Sequence, residues 1–182
     1  MMLGTGIQGR RLGIVGMGQI GVAVARRARA FGMTVAYSNR RDVDPAVARE
    51  LDAPRLSLDD LLATSDVVSL HCPYSADTHH LVSTAQLAAM KPTAFLVNTA
   101  RGPVVEEAAL VQALERGEIA GAGLDVFEKE PEVHAGLLGR DDVVLIPHLG
   151  SATIETRTAM ATLAARNVVA VLGGQRALTP IA

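Results

Sequence analysis

The chain has 182 residues, 49% hydrophobic and 20% charged, enough apolar surface for one substantial core and too much for a disordered segment. Its 17 Lys and Arg against 19 Asp and Glu leave a net charge of −2, which offers no electrostatic basis for binding nucleic acid or an anionic membrane. No apolar stretch reaches the length of a bilayer span, Met1 opens no secretion signal, and the single cysteine, Cys72, excludes an internal disulfide and a thiolate zinc site, so the expectation is a soluble cytoplasmic protein without a metal.

Strand and helix patterns alternate along the chain, with no internal repeat. Residues 12–15 predict a first strand, 21–31 a helix with Arg26, Arg27 and Arg29 near its carboxyl end, Gly32 its stop, and 34–37 a second strand. A short helix over 58–63 leads to a strand at 67–70. Further strands are predicted at 93–97, 119–126 and 143–146, with a helix over 105–114 between the first two of these. From Ser151 as N-cap through Leu172 to Gly173 and Gly174, the spacing predicts an amphipathic helix that either lies over the sheet or meets a partner. Such alternation means a doubly wound α/β fold, a mostly parallel sheet with helices on both faces.

Gly16, Gly18 and Gly21 spell G-x-G-x-x-G between the first strand and the first helix. In that context the first glycine permits a tight turn, the second lets a pyrophosphate approach the backbone, and the third lets helix pack on strand, which makes this a Rossmann-type dinucleotide domain. Glycine triplets alone also arise in turn-rich loops, so the flanking strand and helix carry the inference. The acid that usually follows on the second strand to hold the ribose of NAD is absent; Ser38 stands near its place, followed by Asn39, Arg40 and Arg41. Two guanidiniums suit a 2′-phosphate, so NADP (as NADPH) is the expected cofactor with NAD possible; the alternative is a solvated basic loop.

Arg101, Glu130 and His148 each stand a few residues beyond a predicted strand of the second half. In an open α/β sheet such positions converge on the crevice outside the carboxyl ends of the strands. Arg101 can hold a carboxylate and polarise the carbonyl beside it, His148 can donate a proton near neutral pH, and Glu130 can hold the imidazole. Each alone has a plainer reading as a surface charge or packing residue; together, behind a cofactor fingerprint, they read as the catalytic set of a carbonyl reductase. Cys72 and Pro73 close the third strand where a cofactor ring could rest, although Cys72 also fits as a small buried hydrophobe. Asp125 ends a strand with either a turn role or a contact on the nicotinamide side, and the adjacent His79 and His80 read as a solvated turn. Short-chain dehydrogenase chemistry is disfavoured, since neither Tyr37 nor Tyr74 is followed by Lys four residues on.

The stretches LGIVGMGQIG (12–21), VNTARGPV (97–104), GLDVFEKEP (123–131) and PHLGSAT (147–153) resemble the D-isomer-specific 2-hydroxyacid dehydrogenases, over essentially the whole chain. The resemblance implies that Arg101 binds a small 2-oxo acid, that His148 is the acid/base and that Glu130 supports it. It also implies cofactor contacts from Gly16, Gly18, Gln19, Ile20, Gly21, the Ser38 to Arg41 turn, Cys72, Pro73, Thr99, Ala100, Asp125 and Gly150. With Ser38 in place of the acid, the chain is similar to the glyoxylate and hydroxypyruvate reductases that use NADPH, ahead of a phosphoglycerate-dehydrogenase-like NAD enzyme. A homodimer formed through the cofactor domain is implied too.

Members of that family have a substrate domain into which the cofactor domain is inserted, whereas here the fingerprint begins within twenty residues of Met1. The expectation is therefore one dinucleotide-binding domain over 1–182, with 1–10 a remnant of an interdomain linker, 151–182 a terminal helix and tail, and most of the substrate domain missing. That points to an excised domain, a displaced start or a truncated product, able to bind cofactor with little turnover by itself. The competing class is a dinucleotide-responsive binding module of the corepressor kind.

Overall fold

The computed structural model describes residues 4–180; the Met1 to Leu3 part of the expected linker remnant, like Ile181 and Ala182, lies outside the described residues. The chain divides after Pro147 into two compact units.

The first unit is built on six parallel strands, β1 (Arg11–Val15), β2 (Thr34–Ser38), β3 (Val67–Leu70), β4 (Phe95–Asn98), β5 (Gly121–Leu124) and β6 (Val143–Leu145), in the spatial order β2-β1-β3-β4-β5-β6. The order reverses at β1, so the chain winds outward in both directions and leaves a crevice at the carboxyl ends of β1 and β3, the ligand position in doubly wound sheets. The helices of this unit are α1 (Gln19–Ala30), α2 (Pro45–Leu51), α3 (Leu58–Thr64), α4 (Thr84–Ala88) and α5 (Glu107–Arg116).

Alternation along the strands divides the core into two clusters. Leu12 and Ile14 of β1 with Val35 and Tyr37 of β2 bury against Ala25 and Ala28 of α1, while Val15 and Ala36 point the other way, into the larger cluster holding Leu61, Leu62, Val68, Leu96, Leu110 and Leu137. Buried Gly21, Ala25 and Ala28 give α1 a face of small residues, which lets it lie close on the sheet. Asp66 anchors the entry to two strands: its carboxylate accepts from the Arg11 amide at 2.8 Å and from Lys91 Nζ at 3.0 Å.

Several boundaries differ from those expected. The first helix begins at Gln19, two residues early, because Gly18 serves as its N-cap and the glycine turn runs straight into it. The fifth strand is only Gly121–Leu124: Ile119 and Val126 are buried but lie outside the hydrogen-bonded ladder. Helices α2 and α4 were not anticipated.

The second unit contains α6 (Ile154–Leu172). Thr153, not Ser151, is its N-cap, its Oγ1 accepting from the Thr156 amide at 3.1 Å, and Gly173 closes it. The tail folds back along it, Asn167 exchanging hydrogen bonds of 3.0 and 3.1 Å with Thr179. Its exposed Ile154, Met160, Leu163, Val168, Val169, Val171 and Leu172 are spread around the helix axis instead of lying on one stripe, so the amphipathic expectation is corrected to a helix with apolar residues on all sides. No helix among the described residues is long and apolar enough to cross a membrane.

Candidate functional site

The glycine turn after β1 is shaped by how close the backbone lies to its neighbours. Gly16 has φ +93°, and a Cβ there would lie 2.4 Å from the Cys72 amide nitrogen. A Cβ on Gly21 would lie 2.7 Å from the Gly16 carbonyl oxygen, so the third glycine lets α1 pack on the turn itself. At Gly18 the same construction meets nothing within 4 Å, and the space beside it is open. No acid stands in the first turn of α1, so the positive end of the helix faces this space without a competing carboxylate from its own first turn.

A cleft of about 1200 Å³ opens there. Among its walls are Gly16, Gly18 and Gln19 on one side, Ser38, Asn39, Arg40 and Arg41 on another, and His71, Cys72 and Pro73 behind β3. The turn after β2 is tied to the glycine turn twice: Gly16 donates its amide to the Ser38 carbonyl at 3.0 Å, and Met17 donates its amide to Asn39 Oδ1 at 2.6 Å. Arg40 reaches across to Asp77 at 3.4 Å, an exposed pair worth little by itself.

A second hollow of about 590 Å³ shares His71, Cys72 and Pro73 with the first and is otherwise lined by Ile20, Tyr74, Thr99, Ala100, Arg101 and Pro103. Cys72 is buried, and burial pushes its thiol up, away from the reactive thiolate. Burial also lowers the pKa of His71, whose Nε2 lies 2.9 Å from Ser69 Oγ. This imidazole lines both hollows.

The β4 exit is organised by Asn98, buried and bonded in both directions: its Oδ1 accepts from the Ala100 amide and its Nδ2 donates to the Arg101 carbonyl, each at 3.0 Å. This turn exposes Arg101, whose Nη1 donates to the Ala100 carbonyl at 2.6 Å. Next in the chain, Gly102 presses directly on the β5 exit, where a Cβ would lie 1.8 Å from the Phe127 carbonyl oxygen. Asp125 is buried and donates its amide to the Asn98 carbonyl at 3.0 Å, and Glu130 Oε1 accepts from the Phe127 amide at 3.2 Å.

Of the expected site residues, those of the glycine turn, the basic turn and the β3 and β4 exits thus gather along the two connected hollows. Gly21, Asp125 and Glu130 are not among the lining residues of either, and His148 and Gly150 fall in the second unit, His148 with φ +52°.

Sequence reasoning missed a group of supporting residues. His80, read as part of a solvated turn, is half-buried with its ring stacked on His79 at 3.9 Å and its Nε2 3.0 Å from Glu128 Oε1. Glu128 Oε2 accepts from the Glu107 amide at 3.1 Å, while Glu107 Oε1 accepts from the Glu128 amide at 2.7 Å, so the loops after β4 and β5 clasp each other. Burial raises the Glu128 pKa, but the Glu107 amide and His80 outweigh it and hold the carboxyl below its usual range. Arg55 staples the basic turn from outside. Only Asn98, an Asn at a strand exit followed by Thr and Ala, carried a local turn signal that could have been read.

Residues 1–150 match the family described as D-isomer specific 2-hydroxyacid dehydrogenase, NAD binding domain. A glyoxylate reductase from Thermococcus onnurineus is 53% identical over 175 residues, covering 96% of this chain and 52% of that protein. A solved glyoxylate reductase from Paecilomyes thermophila superimposes with a TM-score of 0.91 at 46% identity, covering 98% of this chain and 54% of its own. An NADPH-dependent glyoxylate/hydroxypyruvate reductase from Sinorhizobium meliloti, solved in complex with NADP and malonate, gives a TM-score of 0.90 at 42% identity over 96% of this chain and 53% of its own. The chain spans about half the length of the curated relatives it matches. Fold, glycine turn and sequence agree, and the chain belongs to the D-isomer specific 2-hydroxyacid dehydrogenases as their NAD-binding domain.

Proposed function

We propose that this domain serves an oxidoreductase that reduces a small 2-oxo acid of the glyoxylate or hydroxypyruvate type to the D-2-hydroxy acid, with NADPH preferred over NADH. The observation that carries the reading is the run of two hollows meeting at His71, Cys72 and Pro73, with the open glycine turn and two guanidiniums along one and Arg101 on the other. The fit to a dinucleotide rests on Gly18, beside which there is room for a phosphate at the helix N-terminus, and on the cleft's reach from the basic turn to the β3 exit, where the second hollow continues to the β4 exit.

The cofactor, when bound, supplies a hydride for the carbonyl carbon. Gly16, Gly18, Gln19, Ile20 and Gly21 would hold its pyrophosphate and Ser38, Asn39, Arg40 and Arg41 its adenosine end, and Cys72, Pro73, Thr99, Ala100, Asp125 and Gly150 are assigned to its remainder. Arg101 binds the substrate carboxylate with its planar fork and polarises the adjacent carbonyl. His148 is assigned as the acid that gives a proton to the developing alkoxide, with Glu130 as its support. The 182 residues by themselves bind cofactor and turn over little, because one wall cannot exclude water or hold the acid from both sides. A homodimer in the cytoplasm completes the reading.

Titration of the purified chain with NADPH and with NADH tests the cofactor half, and tighter binding of NADH sinks it. In an active enzyme carrying this domain, Arg101→Ala and His148→Ala are each expected to lower kcat/KM for glyoxylate by about a hundredfold or more, with the NADPH Kd nearly unchanged. Loss of NADPH binding in either variant means the residue has been assigned the wrong role.

A further inference from the structure

Long cationic side chains on a surface turn discriminate a phosphate only where the backbone beneath them is fixed, because each otherwise gives up its rotamer entropy on binding. Arg40 and Arg41 are both exposed, and only their turn can supply that fixity. Its inner side is tied to the glycine turn through Ser38 and Asn39. Its outer side is held by Arg55.

Arg55 is itself anchored. It pairs with Tyr37 along the open edge of β2: Tyr37 donates its amide to the Pro54 carbonyl at 3.0 Å, and Leu56 donates its own to the Tyr37 carbonyl at 2.8 Å. From that position its guanidinium spans the turn. Nε and Nη2 donate to the Asn39 carbonyl at 3.2 and 2.8 Å, Nη2 donates also to the Arg40 carbonyl at 3.2 Å, and Nη1 pairs with Asp42 at 3.0 Å. A fork with donors in fixed directions can satisfy two successive carbonyls and a carboxylate at once, which a lysine cannot. The same contacts set a positive charge beside Asp42, one of the residues lining the cleft, whose negative charge would otherwise repel a phosphate there.

We infer that Arg55 is a positioning residue for cofactor choice: by stapling the carbonyls of Asn39 and Arg40 and occupying Asp42, it fixes the turn that receives the 2′-phosphate of NADPH. The inference rests on the NADPH reading above, and it concerns the ratio of the two cofactor affinities, not the affinity of either alone.

Calorimetric titration of the full chain with NADPH, NADH, 2′,5′-ADP and 5′-AMP, for wild type, R55M and R55K, tests it. In R55M the NADPH-to-NADH affinity ratio is expected to fall by about tenfold, the scale of one lost charge-assisted hydrogen bond. The 2′,5′-ADP-to-5′-AMP ratio should fall with it. R55K, which can still pair with Asp42 but cannot span both carbonyls, should lie between. An R55M ratio unchanged within about twofold, or an equal loss for both cofactors, overturns the inference. So does R55K indistinguishable from wild type, which would leave charge as the whole effect. A wild-type chain that prefers NADH instead refutes the cofactor reading, a separate result from the response of the ratio to Arg55. A thermal scan of each variant without ligand distinguishes loss of the staple from loss of the fold.

Discussion

At the scale of single residues, Gly18 and Gly102 are small for opposite reasons, and substitution separates them. A methyl group on Gly102 falls 1.8 Å from the Phe127 carbonyl oxygen, and that neighbour is backbone, which cannot rotate away. Gly102→Ala is expected to cost about 1–3 kcal/mol, as overpacking of a well-filled interior does. The corresponding fall in Tm is about 2–4 °C per kcal/mol in a chain of this size. At Gly18 the added carbon meets nothing within 4 Å, so Gly18→Ala should melt with the wild type while NADPH binding weakens. A thermal scan paired with a titration checks both. A Gly18→Ala chain that binds NADPH normally would show that the pyrophosphate does not approach this backbone. The glycine turn was legible in the sequence because its constraint is local, three positions between one strand and one helix. Arg55, His80 and Glu128 were not legible, because their partners stand 13 to 48 residues away and only the fold creates the contact.

At the scale of elements, α5 begins without a side-chain cap of its own. Glu106 is its N-cap residue and makes no capping bond, so the carboxylate of Glu128, from the loop after β5, takes the Glu107 amide instead. Ordinary capping happens within one segment; here it also fastens the β4 exit to the β5 exit. Glu128→Ala leaves the Glu107 amide and His80 without this carboxylate and is expected to cost about 1–2 kcal/mol, the range for loss of an N-cap. Faster hydrogen exchange at the start of α5 is the measurement. Unchanged exchange would mean that water replaces the carboxylate. The same distinction explains which elements the sequence disclosed. β3 appeared within its observed limits because its apolar run is also its ladder. β5 was read too long because burial continues past its hydrogen bonds, and α2 and α4 were overlooked although Asp44-Pro45 and the Ser83 and Gln86 pair are start signals, because each helix is too short for an apolar period to develop.

At the scale of the whole molecule, the carboxylates and the histidine with lowered pKa values predict one direction of pH dependence on the acid side of neutrality. Burial works against ionisation of Asp66, but the Arg11 amide, Lys91 and Arg10 outweigh it and lower its pKa, as the Glu107 amide and His80 do for Glu128. Hydrogen bonds from Arg26 and Arg140 lower Glu50 and Asp142, two pairs near solvent that add little after screening. Burial alone lowers His71. A carboxylate with a lowered folded pKa contributes stability that is complete above its unfolded value and is lost as pH falls through the folded one. A histidine lowered by burial has the same sign, because the unfolded chain takes up its proton first. The two kinds of group act in different windows. His71 begins to erode stability below about pH 6.5, the ordinary imidazole value, and the carboxylates below about pH 4. Tm should therefore be flat from neutrality to about pH 8, decline gently below about pH 6.5 and fall steeply below about pH 4, and the buried Cys72 thiol, raised on folding, adds a decline on the alkaline side. His71→Asn should remove most of the gentle decline while leaving the steep one, whatever it does to the plateau. A variant that keeps the full decline between pH 6.5 and 5 would place the titrating imidazole elsewhere in the chain.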